Sequence, residues 1–335
     1  MKVLAIETSC DETAAAVVED GRRVLSSVVS SQTAVHTTFG GVVPEVASRH
    51  HLELLGPVVA DAMTKASVEP GQLDAVAATI GPGLIGSLLV GVSAAKAYAW
   101  SWGLPFVGVN HMEGHLHAAF LEDPELSLPT VVLLVSGGHT LLICMQSDGQ
   151  GGVEYRLLGQ TIDDAAGEAF DKVARFLGLG YPGGPAIERE AGQGDATAIA
   201  FPRGLAGVGY DFSFSGLKTS VVRYVKAHPE VRVCDVAASF QEAVVDVLVT
   251  KARRAAGEVG AKAICIGGGV AANTSLRERV REACVADGRS AFIPSRAMCT
   301  DNAAMIGATA WYRLRADGPT PLGAAADPNL KLPLV

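Results

Sequence analysis

The fold is decided by residues 2–18, KVLAIETSCDETAAAVV, because the same pattern returns at residues 131–144 as VVLLVSGGHTLLIC. Each stretch consists of an apolar strand, a short polar turn and a second apolar strand, and the second turn is expected to be about two residues shorter. Strands that are apolar throughout are typical of sheets covered on both faces. We therefore predict two hairpins, each buried within an α/β layer structure.

A second pattern also occurs twice. Residues 74–100 and residues 262–286 each read as a strand, a glycine-rich turn and a helix, and a further strand follows each of them, at 106–109 and 291–294. Two copies of this order predict two similar α/β lobes that face each other across a cleft lined by the turns. One doubly wound sheet is the alternative, but the hairpins make part of each sheet antiparallel, which favours two lobes.

The expected lobes divide the chain near its middle. The first lobe should comprise residues 1–128, with a final helix and tail (302–335) packing back on it. The second lobe should comprise residues 129–301 and carry an insertion of helices and loops at about 151–225. The tail after residue 317 is rich in proline, alanine and glycine, which predicts an irregular strap or a frayed end.

Composition excludes several classes of protein. The 335 residues are 49% hydrophobic and only 19% charged, which argues for extensive burial and against disorder. A net charge of −8 provides no overall basic face for nucleic acid, so such a partner must meet a local patch or one supplied by another subunit. The arginines at 253–254 and 277–281 are read as solvated helix faces.

Cysteine usage and hydropathy predict a cytoplasmic protein without a membrane span. The six cysteines are scattered and form no C-x-x-C pair, so reduced thiols are expected. Residues 75–95 are uncharged, but Pro82 within them would break a spanning helix.

The motif HMEGH predicts a metal site. His111 and His115 are four residues apart, so both rings lie on one face of a helix and can bind one divalent ion. Asp301, in the corresponding loop of the second copy, is expected to complete a two-histidine, one-carboxylate set with open coordination positions. Glu113 follows His111 by two residues and should face away, unlike the glutamate of an H-E-x-x-H protease. His117 is expected at the surface.

Two glycine-rich turns predict an anion site. VSGGHT (135–140) and IGGGVAANTS (266–275) leave backbone N–H groups unobstructed, and Asn273 or Thr274 is a candidate cap for the helix that follows. Close packing of strand against helix is the alternative explanation for such glycines, and GPG at 81–83 is the turn to which it applies best.

Two acidic segments complete the candidate site. In the first hairpin turn, Ser9, Asp11 and Glu12 are expected to project toward the metal, although such residues also occur in turns for local hydrogen bonding. In DDAAGEAFDK, Glu168 and Asp171 share a helix face, where an acidic side chain can bind ribose hydroxyls or simply be solvated.

Taken together, these motifs resemble one family. The segments that carry the resemblance, from residue 2 to about residue 312, are ETSCDET, GGVVPE with ASRHH, GPGL, NHMEGH, LLVSGGHT, DDAAGEAFDK, YPGGP, DFSFSGLKT, GGGVAAN and CTDNAAMI. They resemble the tRNA N6-adenosine threonylcarbamoyltransferases of the bacterial type, formerly described as O-sialoglycoprotein endopeptidases. The resemblance implies a duplicated actin-like ATPase and sugar-kinase (ribonuclease-H-like) fold, in agreement with the repeat.

The resemblance also implies an activity and its partners. The family transfers a threonylcarbamoyl group from threonylcarbamoyl-AMP to N6 of the adenosine 3′ of the anticodon, in tRNAs that read ANN codons, with release of AMP. It implies one divalent ion per subunit, Fe(II) or Zn(II), and a paralogous bacterial partner subunit together with a small ATPase.

Matched position by position, the family's residues fall into two groups. His111, His115 and Asp301 match the metal ligands. The adenylate-binding positions match the residues Leu134, Val135, Ser136, Gly137, Gly138, Asp171, Gly184, Glu188 and Asn273.

As a hypothesis, the turn at 136–138 holds the adenylate phosphate, Asp171 and Glu188 take ribose hydroxyls, and the loop of Asn273 takes the adenine. An exocyclic adenine amine is a weak nucleophile and needs positioning and a base. Asp11 or Glu12 is the candidate for that base, and His139 is the alternative.

Three other functions remain as alternatives. A kinase of the same superfamily would hold magnesium through carboxylates and water, which the paired histidines disfavour. A non-catalytic scaffold would be expected to lack those histidines. A metalloprotease is disfavoured by the position of the glutamate in HMEGH.

Overall fold

A computed structural model describes residues 1–122, 127–149 and 153–334 of the chain. The chain forms two compact units, one of Met1–Glu125 with Thr300–Pro333 and the other of Leu126–Cys299 with Leu334–Val335. The second boundary differs from the expected one by two residues, and this difference transfers Asp301 to the first unit. The first residues of the predicted insertion, 151–152, lie outside the described part.

The first unit is built on a mixed five-stranded sheet. Its strands are β1 (Lys2–Glu7), β2 (Glu12–Glu19), β3 (Arg23–Ser31), β4 (Ala75–Gly81) and β5 (Phe106–Asn110). Their order is β3-β2-β1-β4-β5. Strand β2 is antiparallel to both of its neighbours, β1 and β3, whereas β4 and β5 are parallel to β1. The three parallel strands therefore end at one edge of the sheet.

Five helices surround this sheet. They are α1 (Thr33–Thr37), α2 (Pro44–Ala66), α3 (Ile85–Trp102), α4 (His111–Glu122) and, from the end of the chain, α11 (Ala303–Ala316). Strands β1 and β2 are buried almost throughout, as their continuous apolar sequence predicts.

The second unit repeats the same sheet. Its strands are β6 (Thr130–Val135), β7 (Thr140–Ser147), β8 (Val153–Gln160), β9 (Ala263–Gly267) and β10 (Ser290–Phe292), in the order β8-β7-β6-β9-β10. As in the first unit, the hairpin is antiparallel and the two later strands are parallel to its first strand. The predicted internal duplication is confirmed.

In the described part of the second unit, the helices lie between and after the strands along the chain. They are α5 (Ala166–Phe176), α6 (Gly183–Ala191), α7 (Ser215–Ala227), α8 (Val233–Glu258), α9 (Thr274–Ala286) and α10 (Arg296–Cys299). The longest, α8, is buried along most of its length, which makes it the central helix of the unit's core.

Two details of the repeat differ from expectation. The hairpin turns are equally long, at residues 8–11 and 136–139, and the second hairpin extends beyond the apolar run 131–144 at both ends, from Thr130 to Ser147. Each hairpin also continues into a third strand, β3 and β8, and β8 lies within the range predicted for the insertion. Both are edge strands with partly exposed side chains, so their sequences lack a continuous apolar run.

Glycines allow helices α4 and α11 to approach each other and the sheet. A Cβ added to Gly114 of α4 would lie 2.9 Å from Ile306 Cδ1 of α11. A Cβ added to Gly307 would lie 2.7 Å from Val18 Cγ2 of β2. Close packing at these two positions holds α11 beside α4. The segment just before α11, which contains Asp301, is thereby brought to the HMEGH motif.

The C-terminal tail is a strap on the first unit. Its backbone bonds to strand ends at two points, with Thr320 N–H donating to Phe106 O and Asp327 N–H donating to Ile80 O, each at 2.8 Å. Farther along, Asn110 Nδ2 donates to Lys331 O at 3.0 Å. The strap therefore reaches the end of β5, where α4 begins.

Two global predictions can be checked directly. All six cysteines are free thiols, as their scattered positions predict. Within the described residues no helix has the length and apolar character needed to cross a bilayer.

Candidate metal centre and nucleotide site

Polar side chains cluster where the parallel strands of the first unit end. Glu7 closes β1, Thr79 lies near the end of β4, and Asn110 closes β5. Because neighbouring parallel strands end at the same edge, these three side chains share one place in the fold, which is where α/β proteins bind ligands.

Asn110 starts the helix that carries the histidines. Its side-chain oxygen accepts hydrogen bonds from the N–H groups of Met112 at 2.9 Å and Glu113 at 3.3 Å, the geometry of a helix N-cap. His111 and His115 are consequently one turn apart on the same face of α4, with ring centroids 4.8 Å apart and ring planes nearly perpendicular at 86°.

Asp301 joins the two histidines. Its Oδ1 lies 3.1 Å from His115 Nε2 and 3.5 Å from His111 Nε2. Asn302 follows it and caps α11 by accepting from Met305 N–H at 3.0 Å, so the chain direction at Asp301 is set by the start of that helix. The structure thus brings together the three predicted ligands, all within the first unit.

These donors suit a divalent ion. One ligand atom from each of the three residues lies within 4.8 Å of the others. Metal–ligand bonds of about 2.0–2.2 Å in a tetrahedral site separate neighbouring donors by about 3.3–3.6 Å. The carboxylate-to-imidazole distances are close to that separation. Two imidazoles and one carboxylate match both a zinc site with an open position and a non-haem Fe(II) site.

A fourth residue, Glu7, contacts His111 at Nδ1, the ring nitrogen that does not face Asp301. The carboxylate of Glu7 is fully buried, and its Oε2 lies 3.1 Å from His111 Nδ1. It also accepts from Thr79 Oγ1 and from Ser9 N–H, each at 2.5 Å. Sequence reasoning missed Glu7, although a carboxylate at the end of an otherwise apolar strand is a recognisable signal.

The buried charges shift the ionisation of this cluster. Burial alone would raise the pKa of Glu7, but the charge of His111 and its hydrogen bond lower it below its usual value. Burial would lower the pKa of His111, yet the charges of Asp301 and Glu7 raise it to about 9. Both shifts favour the charged forms of Glu7 and His111, which lie side by side.

Glu113 lies away from the metal donors, in agreement with the geometry predicted for HMEGH. It is buried, and Arg313 Nε of α11 donates to both of its carboxylate oxygens at 3.0 Å. This contact joins α4 to α11, which is a structural role and not that of a protease base.

His117 is not at the surface as expected. Its side chain is buried against Phe120 and Tyr312, with ring centroids 5.6 and 4.7 Å away. Burial, followed by the nearby charge of Arg313, lowers the pKa of His117 to about 3. The prediction failed because α4 is covered by α11 on the face that an isolated helix would expose to solvent.

The first hairpin turn lies beside the metal ligands. Ser9 Oγ is 3.1 Å from His111 Nδ1, and Ser31 Oγ donates to Glu12 Oε1 at 3.2 Å. Burial, then the charges of Asp301 and Asp11, raise the pKa of Glu12 to about 9. Of the predicted base candidates, Glu12 is thus close enough to Asp301 and to Asp11 to interact with their charges.

His51, from the segment ASRHH, holds this turn in shape. Its Nε2 lies 3.0 Å from Cys10 O, and its Nδ1 lies 2.7 Å from Thr13 Oγ1. Burial lowers the pKa of His51, which favours the neutral ring that these two bonds require. His51 donates through Nε2 and accepts through Nδ1, so the turn is anchored from one side.

In the second unit, the corresponding turn is short and open. Ser136 N–H donates to His139 O at 2.8 Å and closes the turn after Val135. A Cβ added to Gly167, at the start of α5, would lie 2.5 Å from Ser136 O. The N-terminus of α5 therefore abuts the turn, and two of its first N–H groups are already bonded, Ala166 N–H to Thr140 Oγ1 at 2.9 Å and Gly167 N–H to Ser136 O at 3.2 Å.

Three glycines have no internal reason to be glycine. A Cβ added to Gly137, Gly138 or Gly184 would meet no atom within 4 Å, and none of the three has a positive φ. Neither packing nor backbone conformation requires glycine there. The backbone at these positions is therefore open to a molecule that approaches it closely.

Two turns behave differently and match the packing interpretation. A Cβ added to Gly83 would lie 2.6 Å from Ser9 O, and one added to Gly268 would lie 2.5 Å from Val135 O. In GPG and in GGGVAAN, at least one glycine therefore lets two backbone segments meet.

The acidic candidates of the second unit bond to helix N-termini. Asp171 Oδ1 accepts from Gly183 N–H at 2.7 Å, at the start of α6. Glu188 Oε1 accepts from Thr274 N–H at 2.9 Å, at the start of α9. Burial raises the pKa of Asp171, with the Gly183 bond opposing the shift. Each carboxylate ties two helices together through one oxygen.

Asn273 is the cap of α9, as predicted. Its Oδ1 accepts from Leu276 N–H at 3.0 Å, and its Nδ2 donates to Gln241 Oε1 at 2.7 Å. The bonds of Glu188 and Asp171 connect α9, α6 and α5 in series, and the bond of Asn273 to Gln241 joins the start of α9 to α8. Leu134 and Val135 are fully buried in β6, directly before the turn of Ser136.

A family profile and curated relatives agree on one family. The profile described as TsaD, tRNA N6-adenosine threonylcarbamoyltransferase, matches residues 23–308. A relative of that name from Moorella thermoacetica is 52% identical over 335 residues, covering 98% of this chain and 97% of its own. Another from Anaeromyxobacter dehalogenans strain 2CP-C is 56% identical over 318 residues, covering 93% and 94%.

Solved structures resemble the chain at low identity and therefore show the fold alone. HypF of T. kodakarensis has a TM-score of 0.63 at 16% identity, with 94% of this chain and 48% of HypF covered. Component A of the (R)-2-hydroxyglutaryl-CoA dehydratase of Acidaminococcus fermentans has a TM-score of 0.55 at 14% identity, covering 94% and 99%. Both agree with the actin-like ATPase fold. The chain belongs to the tRNA N6-adenosine threonylcarbamoyltransferase family and is a transferase of tRNA modification.

Proposed function

We propose that this enzyme transfers the threonylcarbamoyl group of threonylcarbamoyl-AMP to N6 of the adenosine 3′ of the anticodon, in tRNAs that read ANN codons, and releases AMP. The observation that carries the proposal is the set of His111, His115 and Asp301, whose donors converge at 3.1–3.5 Å on one carboxylate oxygen. A divalent ion held there, Fe(II) or Zn(II), would act as a Lewis acid on the carbamoyl carbonyl.

The residues of the second unit suit the adenylate part of the donor. In the open turn of Ser136, Gly137 and Gly138, the two glycines would offer backbone N–H groups near the N-terminus of α5, whose dipole favours an anionic phosphate. Backbone donors at that place would also stabilise the negative charge that leaves with AMP. The second oxygens of Asp171 and Glu188 are suited to accept from ribose hydroxyls. The proposed adenylate site continues along Leu134, Val135 and Gly184 to Asn273, whose loop would take the adenine.

The accepting adenine amine needs a base, and the first hairpin turn offers two. After burial, the charges of Asp301 and Asp11 both contribute to the high pKa of Glu12. Neutralisation of Asp301 by a bound cation would remove one of these repulsions and favour an ionised Glu12. His139 of the second unit is the alternative base.

The direct test is modification of tRNA in vitro with preformed threonylcarbamoyl-AMP. Wild-type enzyme with its partners should release AMP in proportion to modified adenosine, measured by nucleoside mass spectrometry. The variant His111→Ala should lose transfer and bound metal but retain its fold, because the ring belongs to the polar cluster with Glu7 and Asp301 and not to the apolar core. Full transfer by a metal-free His111→Ala variant would overturn the proposal.

A matched histidine variant controls for nonspecific effects. His228 is exposed and stacks on Tyr224 in the second unit, with ring centroids 4.2 Å apart. His228→Ala should keep wild-type metal content and transfer. Release of ADP from ATP without tRNA would instead indicate a kinase.

Binding of tRNA is proposed to require a second subunit. Two of the arginines within 253–254 and 277–281 are paired with acidic side chains within the fold, Arg253 with Asp287 at 2.5 Å and Arg279 with Glu242 at 2.8 Å. Because these charges are already paired, they contribute little attraction for phosphate. A paralogous partner subunit and a small ATPase, acting together in the cytoplasm, are the partners we propose.

One surface of the first unit supports a protein partner. A groove of about 470 Å³ lies between α2 and α3, and the apolar side chains of Leu52 and Leu89 beside it are 69% and 50% exposed. Exposed apolar grooves are typical of protein–protein contacts. The double variant Leu52→Asp and Leu89→Asp should weaken binding of the partner subunit and leave metal content unchanged. Unchanged partner affinity would exclude this groove.

A further inference from the structure

We propose that Glu7 is a positioning residue for the metal, which it serves by holding His111 through Nδ1 so that Nε2 faces the ion. This inference rests on the proposed metal site and assigns a role to a residue outside its three ligands. The carboxylate of Glu7 reaches His111 at 3.1 Å and is itself completely buried.

The hydrogen bonds of Glu7 decide which nitrogen of His111 carries the proton. Thr79 Oγ1 and Ser9 N–H both donate to the carboxylate, each at 2.5 Å, so the carboxylate acts as an acceptor in both bonds. A carboxylate that accepts from these groups also accepts from the imidazole, which requires a proton on Nδ1. In a neutral ring, Nε2 then carries the lone pair.

The direction of that lone pair matches the site. His111 Nε2 is the nitrogen that faces Asp301, at 3.5 Å. Carboxylates that bond to the outer nitrogen of a ligating histidine set its tautomer and ring orientation and raise its basicity. Glu7 is placed at the end of β1, where the sheet holds its backbone, so its position does not depend on a flexible loop.

His115 has no comparable support. Its Nδ1 is buried and has no hydrogen-bond partner among the described residues. The two histidines therefore differ at Nδ1. In His111 this nitrogen bonds to a carboxylate that can orient the ring, and in His115 it does not. This asymmetry predicts that loss of Glu7 affects the metal more than a distant buried carboxylate would.

The experiment measures metal affinity and ring tautomer and does not depend on transfer activity. Purified full-length protein is titrated with Zn(II) against a competing chelator, and ¹⁵N-histidine spectra of the Zn(II)-loaded protein report the tautomer of His111. We expect Glu7→Gln to weaken Zn(II) binding by about 10-fold and Glu7→Ala by up to about 100-fold. The Gln variant keeps the shape and is expected to fold.

Glu113→Gln is the matched control. Glu113 is likewise a buried carboxylate of the first unit, but it bonds to Arg313 and to neither ligand nitrogen in the described contacts. It should lower the melting temperature at least as much as Glu7→Gln and change Zn(II) affinity by less than about threefold.

The outcomes separate two failures. If the wild type binds no Zn(II), or binds it equally well in His111→Ala, the proposed metal site is wrong. If the wild type binds Zn(II) and His111→Ala does not, but Glu7→Gln and Glu7→Ala retain full affinity and the same His111 tautomer, only the role of Glu7 is wrong.

Discussion

The glycine in the middle of HMEGH should be required for the metal site, because it sets the distance between α4 and α11. Gly114→Ala adds one methyl group that would lie 2.9 Å from Ile306 Cδ1 and 3.2 Å from Met305 Cγ. Carbon atoms rest at about 3.5–4.0 Å, so the methyl stands about 0.6–1.1 Å too close to Ile306. Both neighbours are fully buried and have little room to move.

The magnitude follows from two opposing effects. Overpacking of this kind costs about 1–3 kcal/mol. Replacing a helical glycine by alanine gains about 0.8–1 kcal/mol of helix propensity. The variant should therefore lose about 0–2 kcal/mol of unfolding free energy. Displacement of α11 by half an ångström would also move Asp301 from His115 and weaken Zn(II) binding about tenfold or more.

Gly257→Ala is the control, because it makes the same gain in helix propensity without overpacking. Gly257 lies in α8, and its nearest neighbour to an added Cβ is 3.8 Å away, which is an ordinary contact. The difference in unfolding free energy between the two variants, measured by urea denaturation, should be about 1–3 kcal/mol. Ile306→Val removes Cδ1 and should partly rescue Gly114→Ala in the double variant. Equal stability of the two alanine variants, with unchanged Zn(II) affinity, would refute the reasoning.

Three further predictions concern stability, pH and metal. Lys251 is fully buried and donates to three loop carbonyls at 2.7–3.2 Å. Lys251→Met should lower the free energy of unfolding, measured in urea, by about 2–4 kcal/mol, whereas Lys226→Met, at an exposed position, should lower it by less than about 0.5 kcal/mol. Burial raises the pKa of Asp164, but Lys172 and Lys218 outweigh burial and lower the pKa below its usual value. The contribution of Asp164 to folding stability is therefore present above its unfolded pKa and is lost as the pH falls through the lower folded pKa. Asp164→Asn should thus destabilise the protein at pH 7 and not at strongly acidic pH, and a constant deficit across that range would contradict the sign. Removal of metal by a chelator should abolish transfer and Fe(II) or Zn(II) should restore it; transfer that survives complete metal removal would exclude a metal role.

Much of the architecture was readable because it depends on local pattern. Apolar runs interrupted by short polar turns predicted both hairpins, and the helical spacing of His111 and His115 predicted a shared face. These features follow from the periods of strands and helices, which need no knowledge of distant contacts. The cap at Asn273 was likewise readable from residue type and place.

Features set by long-range packing were missed. Glu7 and Thr79 are 72 residues apart, and only the parallel pairing of β1 with β4 brings them together. His117 was expected at the surface because its own helix gives no sign that α11 covers it. The edge strands β3 and β8 lacked a continuous apolar run, so periodicity alone did not reveal them.

The sequence by itself determined the repeated order of elements, the pairing of the two histidines and the glycine turns, since each of these is encoded within one helical or hairpin period. The sequence also indicated Asp301 as their carboxylate partner, whereas tertiary structure decided how Asp301 reaches them and added Glu7. Asp301 arrives through the packing of α11 on α4, and Glu7 through the order of strands in the sheet. Both depend on contacts between segments far apart in the chain, which local propensities do not encode.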